Sequence, residues 1–191
     1  MSINYEKAHS LFDGLMINIC HACGGICEQN QLAVLLPEED DYIALKIGVE
    51  KKEFLKNYCT TVDFREQKIN ILKIGVCPFL NNQFRCELEQ FNCKALQCLL
   101  YPVLINSSLA QGKAIVDESY CPMAHSVSEE FKHKSWKLLE EIKSNLPQWW
   151  LDCSGIIDSY IYDYKKMSDL KNKTTITIEE LNNCIIRWYN N

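Results

Sequence analysis

Apolar positions along the chain switch between helical spacing, short continuous runs and alternation. Tyr5, Ala8, Leu11, Phe12, Leu15 and Met16 lie on one face at helical spacing, which predicts a short helix within residues 3–17. Gln31-Leu32-Ala33-Val34-Leu35-Leu36 is an apolar run that predicts a buried strand or extended segment ended by Pro37. Pro37-Glu38-Glu39-Asp40-Asp41 then reads as a helix start, with acids at the positive end of the helix dipole. Ile43, Ala44 and Ile47 form its inner face, and Gly48 suits its stop. A second short helix runs from Val49 to near Tyr58-Cys59. Thr60–Phe64 and Ile69–Ile74 predict the two strands of a hairpin around Arg65-Glu66-Gln67-Lys68. Asn81-Asn82 is turn chemistry, and Gly112–Val116 predicts a further strand.

From Ser126 the pattern becomes helical and poor in cysteine. Ser128-Glu129-Glu130 opens a helix with Phe131, Trp136, Leu138, Leu139, Ile142 and Leu146 on its apolar face, and Pro147 stops it. Residues 149–164 predict an aromatic helix interrupted by Gly155, and residues 168–174 a polar loop. Thr177-Ile178-Glu179-Glu180 fits a capping box that opens a last helix, with Leu181, Ile185 and Trp188 inward. The reading is an α+β fold in two parts: a small cysteine-cluster metal-binding domain over residues 1–125, and a helical C-terminal segment over 126–191 packed on it.

Composition narrows the function classes. The 191 residues are 47% hydrophobic and 24% charged, as in ordinary globular proteins. A net charge of -5 with no dense Lys/Arg block argues against a nucleic-acid partner. No apolar run reaches membrane-spanning length, and residues 1–19 carry Glu6 and Asp13 in place of a signal-peptide pattern. These features predict a cytoplasmic protein without a membrane partner.

Eleven cysteines change the picture. Disulfides seldom persist in a reducing cytosol, so clustered thiols there point to metal or redox chemistry. Cys20-His21-Ala22-Cys23-Gly24-Gly25-Ile26-Cys27 places three thiols on a turn whose glycines can take positive φ and curl the backbone around an ion. Further candidates are Cys77, Cys86, Cys93, Cys98 and Cys121, with Cys77 and Cys121 each followed by proline. Thiolates select zinc, copper(I) or iron–sulfur units. Structural zinc sites usually show two close cysteine pairs, whereas a compact trio with remote cysteines is also an iron–sulfur pattern. Iron or an iron–sulfur cluster is therefore the leading cofactor, with zinc as the alternative.

The boxes between Cys20 and Cys121 resemble the YkgJ-like cysteine-cluster family, zinc- or iron-chelating proteins of the Cys-x-x-Cys-x-x-Cys-Cys type. The opening turn is similar to Cys20 through Cys27. The following family stretch resembles Glu39, Ile43-Ala44, Ile47-Gly48, Glu53-Phe54-Leu55 and Tyr58. Cys77-Pro78-Phe79-Leu80, Lys94-Ala95-Leu96-Gln97-Cys98-Leu99-Leu100-Tyr101-Pro102 and Cys121-Pro122 resemble its later boxes. The chain departs from the pattern in three places: Ile26 stands where the family has the first of two adjacent cysteines, Lys94-Ala95 replaces Arg-Pro, and Cys93 is an addition. Cys93 is thereby a substitute-ligand candidate. The family includes a flagellin lysine N-methylase, so the resemblance implies a peptide or protein substrate, although no stretch is assignable to S-adenosylmethionine binding. Two function classes stand open: an enzyme whose metal centre has an exchangeable position, and a non-catalytic structural or metal-handling module that binds a protein partner.

The remaining residues have plainer expectations. Cys59, Cys153 and Cys184 fall in helix-like segments and read as buried, inert thiols. His21 and His125 flank candidate ligands, and His9 and His133 read as solvated. The Glu38–Asp41 run reads as a helix start and not a carboxylate metal site.

Overall fold

The computed structural model describes residues 3–12, 15, 23–24, 32–72, 76–158 and 160–188. Helix α1 covers Tyr5–Ser10, with the Asn4 side chain accepting from Lys7 N–H at its start. It ends earlier than the apolar spacing predicts, because Leu11 already caps it. The apolar run at 32–36 is extended, as its composition predicts. Val34 bridges Ile71, Leu35 N–H donates to Asn70, and Leu72 N–H donates back to Ala33. Helices α2 (Glu39–Ile47) and α3 (Lys51–Tyr58) follow, and Gly48 ends α2 at φ 74°, a conformation glycine adopts without cost.

Strands β1 (Cys59–Phe64) and β2 (Gln67–Leu72) form the predicted antiparallel hairpin, with Cys59 opposite Leu72 and Phe64 opposite Gln67. Its loop is tighter than expected: Arg65 and Glu66 alone turn the chain, at φ 47° and 67°. Two positive φ values match the primed turns whose twist suits a hairpin. Past Cys77 come a 3-10 turn at Glu87–Phe91, then α4 (Leu96–Leu100) and α5 (Ile105–Gln111). The stretch predicted as a strand at 112–116 contributes one bridge, Val116 to Val103.

The C-terminal part begins with α6 (Glu129–Ile142), capped by Ser128 as predicted, and α7 (Gln148–Asp158). The predicted aromatic helix stops at Asp158, and Tyr160–Tyr162 is strand β3. Helix α8 (Tyr164–Leu170) takes the first three residues of the predicted polar loop, and residues 171–174 are turn and irregular chain, as read. Strand β4 (Thr175–Thr177) leads into α9 (Ile178–Asn182), opened by the capping box at Thr177 and Glu180. The last predicted helix is short, because Ile185–Trp188 forms strand β5 antiparallel to β3.

The fold is α+β, with a three-stranded mixed sheet in the order β2-β1-β4. The parallel β1–β4 pairing, Val62 opposite Ile176, joins the C-terminal segment to the cysteine-bearing part. One core cluster unites the two: Val34, Val62, Ile71, Leu96 and Leu100 pack with Phe131, Leu139, Trp150, Ile157 and Leu181. A second cluster holds Leu35, Ile43, Phe54, Leu72, Phe79, Leu88, Cys59, Cys86 and Cys93, with Cys77 and Cys98 at its edge. Each fully buried aliphatic or aromatic side chain contributes roughly 1.5–3 kcal/mol relative to exposure. Cys153 and Cys184 belong to the first of these cores. Among the described residues, no helix is long and apolar enough to cross a membrane.

Candidate metal centre

The extended segment 32–36, which follows the opening cysteine box in sequence, is held by distant side chains. Both backbone groups of Val34 are held by side chains: Gln97 Oε1 accepts its N–H at 2.7 Å, and buried Trp150 donates Nε1–H to its carbonyl at 3.3 Å. Leu36 N–H donates to Glu39 Oε2 at 2.9 Å, while Glu39 Oε1 accepts Leu96 N–H at 2.6 Å. Glu39 is 0% exposed. One carboxylate thus joins the exit of the opening turn to the first residue of α4, the helix that carries Cys98. An orphan N–H at a helix start needs an acceptor, and here it comes from another helix. Burial pushes the Glu39 carboxyl up to about 7; the Leu36 and Leu96 N–H groups oppose that, and Asp40 adds to it.

The far end of α4 is tied just as closely. Tyr101 caps the helix, and its hydroxyl donates to Asp117 Oδ2 at 3.2 Å. Asp117 N–H donates to Pro102 O at 2.8 Å, and Cys121 N–H donates to Asp117 O at 3.2 Å. Burial raises the Cys121 thiol; the Met123 N–H, which favours the thiolate, opposes that, and the charges of Cys23 and Asp117 add to the rise. Gly24 takes φ 70° as the turn predicts, and no atom lies within 4 Å of where its Cβ would stand.

Cys77 and Cys86 stand at the two ends of a compact loop. Leu80 N–H donates to Cys77 O at 3.0 Å, Leu80 bridges Cys86, and Glu87 N–H donates to Phe79 O at 2.7 Å. Asn81 Oδ1 stabilises the bend by accepting from Gln83 and Arg85 N–H. Phe79 anchors the loop by stacking on Tyr58, centroids 4.9 Å apart, with Phe54 beyond it at 6.3 Å. Cys93 directly follows the 3-10 turn that Cys86 opens and Asn92 closes, and its thiol donates to Leu88 O at 3.8 Å. Burial pushes the Cys93 thiol up to about 12, and neighbouring Cys86 raises it further while Lys46 opposes.

Of the candidate ligands, Cys86 and Cys93 lie in the second apolar cluster, with Cys77 and Cys98 at its edge. Cys121 is tied through Asp117 and Tyr101 to the end of the helix that carries Cys98. Cys20 and Cys27, with His21, lie outside the described residues. Among the described residues, no three His, Cys, Asp or Glu side chains are grouped closely enough to hold an ion together. Cys59, Cys153 and Cys184 are buried, as read from the sequence. His125 and His133 are exposed.

One expectation needs correction. His9 is not solvated: it is 6% exposed and stacks on Tyr42 at 6.0 Å, because α1 packs against α2. The acidic run is a helix start, yet Glu39 and Asp40 turn inward and are buried. Asp40 accepts from Asn70 Nδ2 at 3.0 Å and pairs with Lys51 at 3.3 Å, so it anchors α2 to β2. A polar cleft of about 220 Å³, lined by Glu6, His9, Tyr42, Lys46 and Asn92, lies outside this region and is spanned by the Glu6–Lys46 ion pair at 2.6 Å. The signal missed in the sequence is the buried Glu39, which sits in the box that resembles the cysteine-cluster family. No family model matches the chain, and no curated protein or solved structure matches it either.

Proposed function

We propose that the chain is a cytoplasmic metal-binding protein of the YkgJ-like cysteine-cluster type, holding iron or an iron–sulfur cluster, with zinc as the alternative. The ligands are drawn from Cys20, Cys23, Cys27, Cys77, Cys86, Cys93, Cys98 and Cys121. The observation that carries this reading is the tie that Tyr101 and Asp117 make between the turn ending in Cys121 and the helix that bears Cys98. Two half-buried thiols repel each other once ionised, and a bound cation relieves that repulsion. The clamps at both ends of α4 support the same reading, because ligands must be fixed in direction as well as present.

The enzyme form of the reading has a peptide or protein substrate, by resemblance to the lysine N-methylase of the family. The non-catalytic form has a closed thiolate site and a protein partner. A site with an exchangeable position favours the first and a closed four-thiolate site the second. The test is anaerobic purification of the full chain followed by elemental analysis, a sulfide assay and an absorption spectrum. Iron with acid-labile sulfide and thiolate-to-metal charge transfer support the leading form, and zinc without sulfide supports the alternative. A chain that takes up neither iron nor zinc contradicts both.

A further inference from the structure

Among the described residues, the large apolar side chains that stand exposed are Leu45, Val76, Phe84 and Phe91, all before the C-terminal part. Single exposed apolar residues are ordinary, so conformation and surroundings decide which of them matters. Phe84 is 50% exposed and takes φ 56°. A bulky residue is an outlier in that region, which glycine or asparagine fills more easily. The loop imposes the conformation. Phe84 N–H donates to Asn81 O and Asn81 N–H to Arg85 O, both at 3.0 Å, and Asn81 Oδ1 takes the N–H groups of Gln83 and Arg85. Strain held in a rigid loop, under an aromatic ring left half in water, points to recognition.

The polar cleft between α1 and α2 is the neighbouring feature. Cys86, which closes the loop, opens the 3-10 turn Glu87–Phe91, and Phe91 at its end lines the cleft. At about 2 Å per residue, that turn is roughly 10 Å long. The cleft volume of about 220 Å³ is below the roughly 300–1,000 Å³ of sites for drug-sized ligands, and it suits one side chain. His9, Tyr42 and Phe91 give it aromatic walls, against which another ring packs well. The Glu6 side chain is 70% exposed and gives Oε1 to Lys46. Arg85, next to Phe84, is exposed and forms no ion pair among the described residues.

We propose that a second copy of this chain covers this surface. Phe84 of each copy enters the cleft of the other, and Arg85 of each copy pairs with Glu6 of the other. Ring, cleft, cation and carboxylate are complementary, and all belong to one chain. Because the protruding ring and the cleft are neighbours, a two-fold axis brings both pairs together at once and closes the assembly as a dimer. The proposal is independent of the metal-binding reading.

The test is sedimentation velocity of the anaerobically purified full chain across the micromolar range, in reductant so that disulfides do not join copies. The variants are Phe84→Asn, Arg85→Glu, Glu6→Lys and the double variant Arg85→Glu with Glu6→Lys. The parent chain is expected to dimerise with a micromolar dissociation constant. Phe84→Asn should weaken the dimer about tenfold or more, as loss of a buried aromatic anchor does. Its urea midpoint should stay level or rise, because asparagine tolerates the left-handed conformation. Each charge reversal should weaken the dimer, and the double variant should regain much of the loss.

If Glu6→Lys does not fold beside Lys46, Phe84→Asn and Arg85→Glu decide the matter. A parent chain that stays monomeric overturns the proposal and leaves the Phe84 loop to a different protein. A dimer that Phe84→Asn leaves intact, or a double variant no tighter than its single parents, places the contact elsewhere and overturns it too. A mass that keeps growing with concentration overturns the reciprocal pairing, because it means an open chain of copies.

Discussion

Glu39 Oε1 accepts the N–H of Leu96 at 2.6 Å, and the same carboxylate accepts Leu36 N–H through its other oxygen. The contact joins the segment leaving the opening cysteine turn to the helix that carries Cys98. A fully buried carboxylate whose partners are two backbone N–H groups is costly when ionised. The two backbone donors repay part of that cost.

Glu39 gives a pH dependence with a definite sign. Burial raises its folded value to about 7 from an ordinary 4.5. Between these values the folded chain binds more protons than the unfolded chain, so stability falls as pH rises. The contribution is fully present below the unfolded value and is lost as pH passes the folded one. Glu39→Gln abolishes this titration and leaves an amide N–H facing a backbone donor. Denaturant unfolding at about pH 5 and about pH 8 checks it. The parent chain should lose stability relative to Glu39→Gln across that interval, and a constant difference would show that Glu39 does not titrate there.

Trp150 holds the same segment from the other side. Trp150→Phe keeps most of the buried ring but leaves Val34 O without its donor, at a cost of roughly 1–3 kcal/mol. Gln97→Leu does the same to Val34 N–H. Urea midpoints should fall for both variants, and an unchanged midpoint would show that other groups satisfy Val34.

Much of this scaffold is legible in the sequence because its signals are local. The β1–β2 hairpin follows from two apolar runs around a short polar break, and α6 from its cap and periodic face. The capping box at Thr177 is correct, but the helix it opens ends at Asn182. Ile185 and Trp188 fit a helical face as well as a strand, and only the partner β3 decides between them. Strand β4 has three residues, so its assignment depends on the edge that β1 offers it. Polar α5 carries almost no periodic signal. Glu39 is hidden for a similar reason: which of four consecutive acids turn inward depends on distant partners, the Leu96 N–H for Glu39 and the Asn70 side chain for Asp40. The cysteine boxes are readable as a group, whereas the gathering of Cys86 and Cys93 in one apolar core needs the tertiary fold.

The Cys86–Cys93 neighbourhood tests the substitute-ligand idea. The family pattern leaves this chain one thiol short at Ile26, and Cys93 stands beside Cys86. Cys93→Ala and Cys86→Ala should lower metal per chain by similar amounts in anaerobically purified protein. Full metal in Cys93→Ala, with only the small stability loss of a trimmed core thiol, would make Cys93 a packing residue.

The most direct measurement is metal per chain in Cys23→Ser, Cys121→Ser and the double variant, with Cys153→Ala as a buried control outside the boxes. If the two thiols serve one centre, either single substitution lowers metal content about as far as the double, because each breaks the same site. Cys153→Ala should hold the parent amount. Parent-level metal in both single variants, or independent losses that add in the double variant, would contradict a centre shared by Cys23 and Cys121.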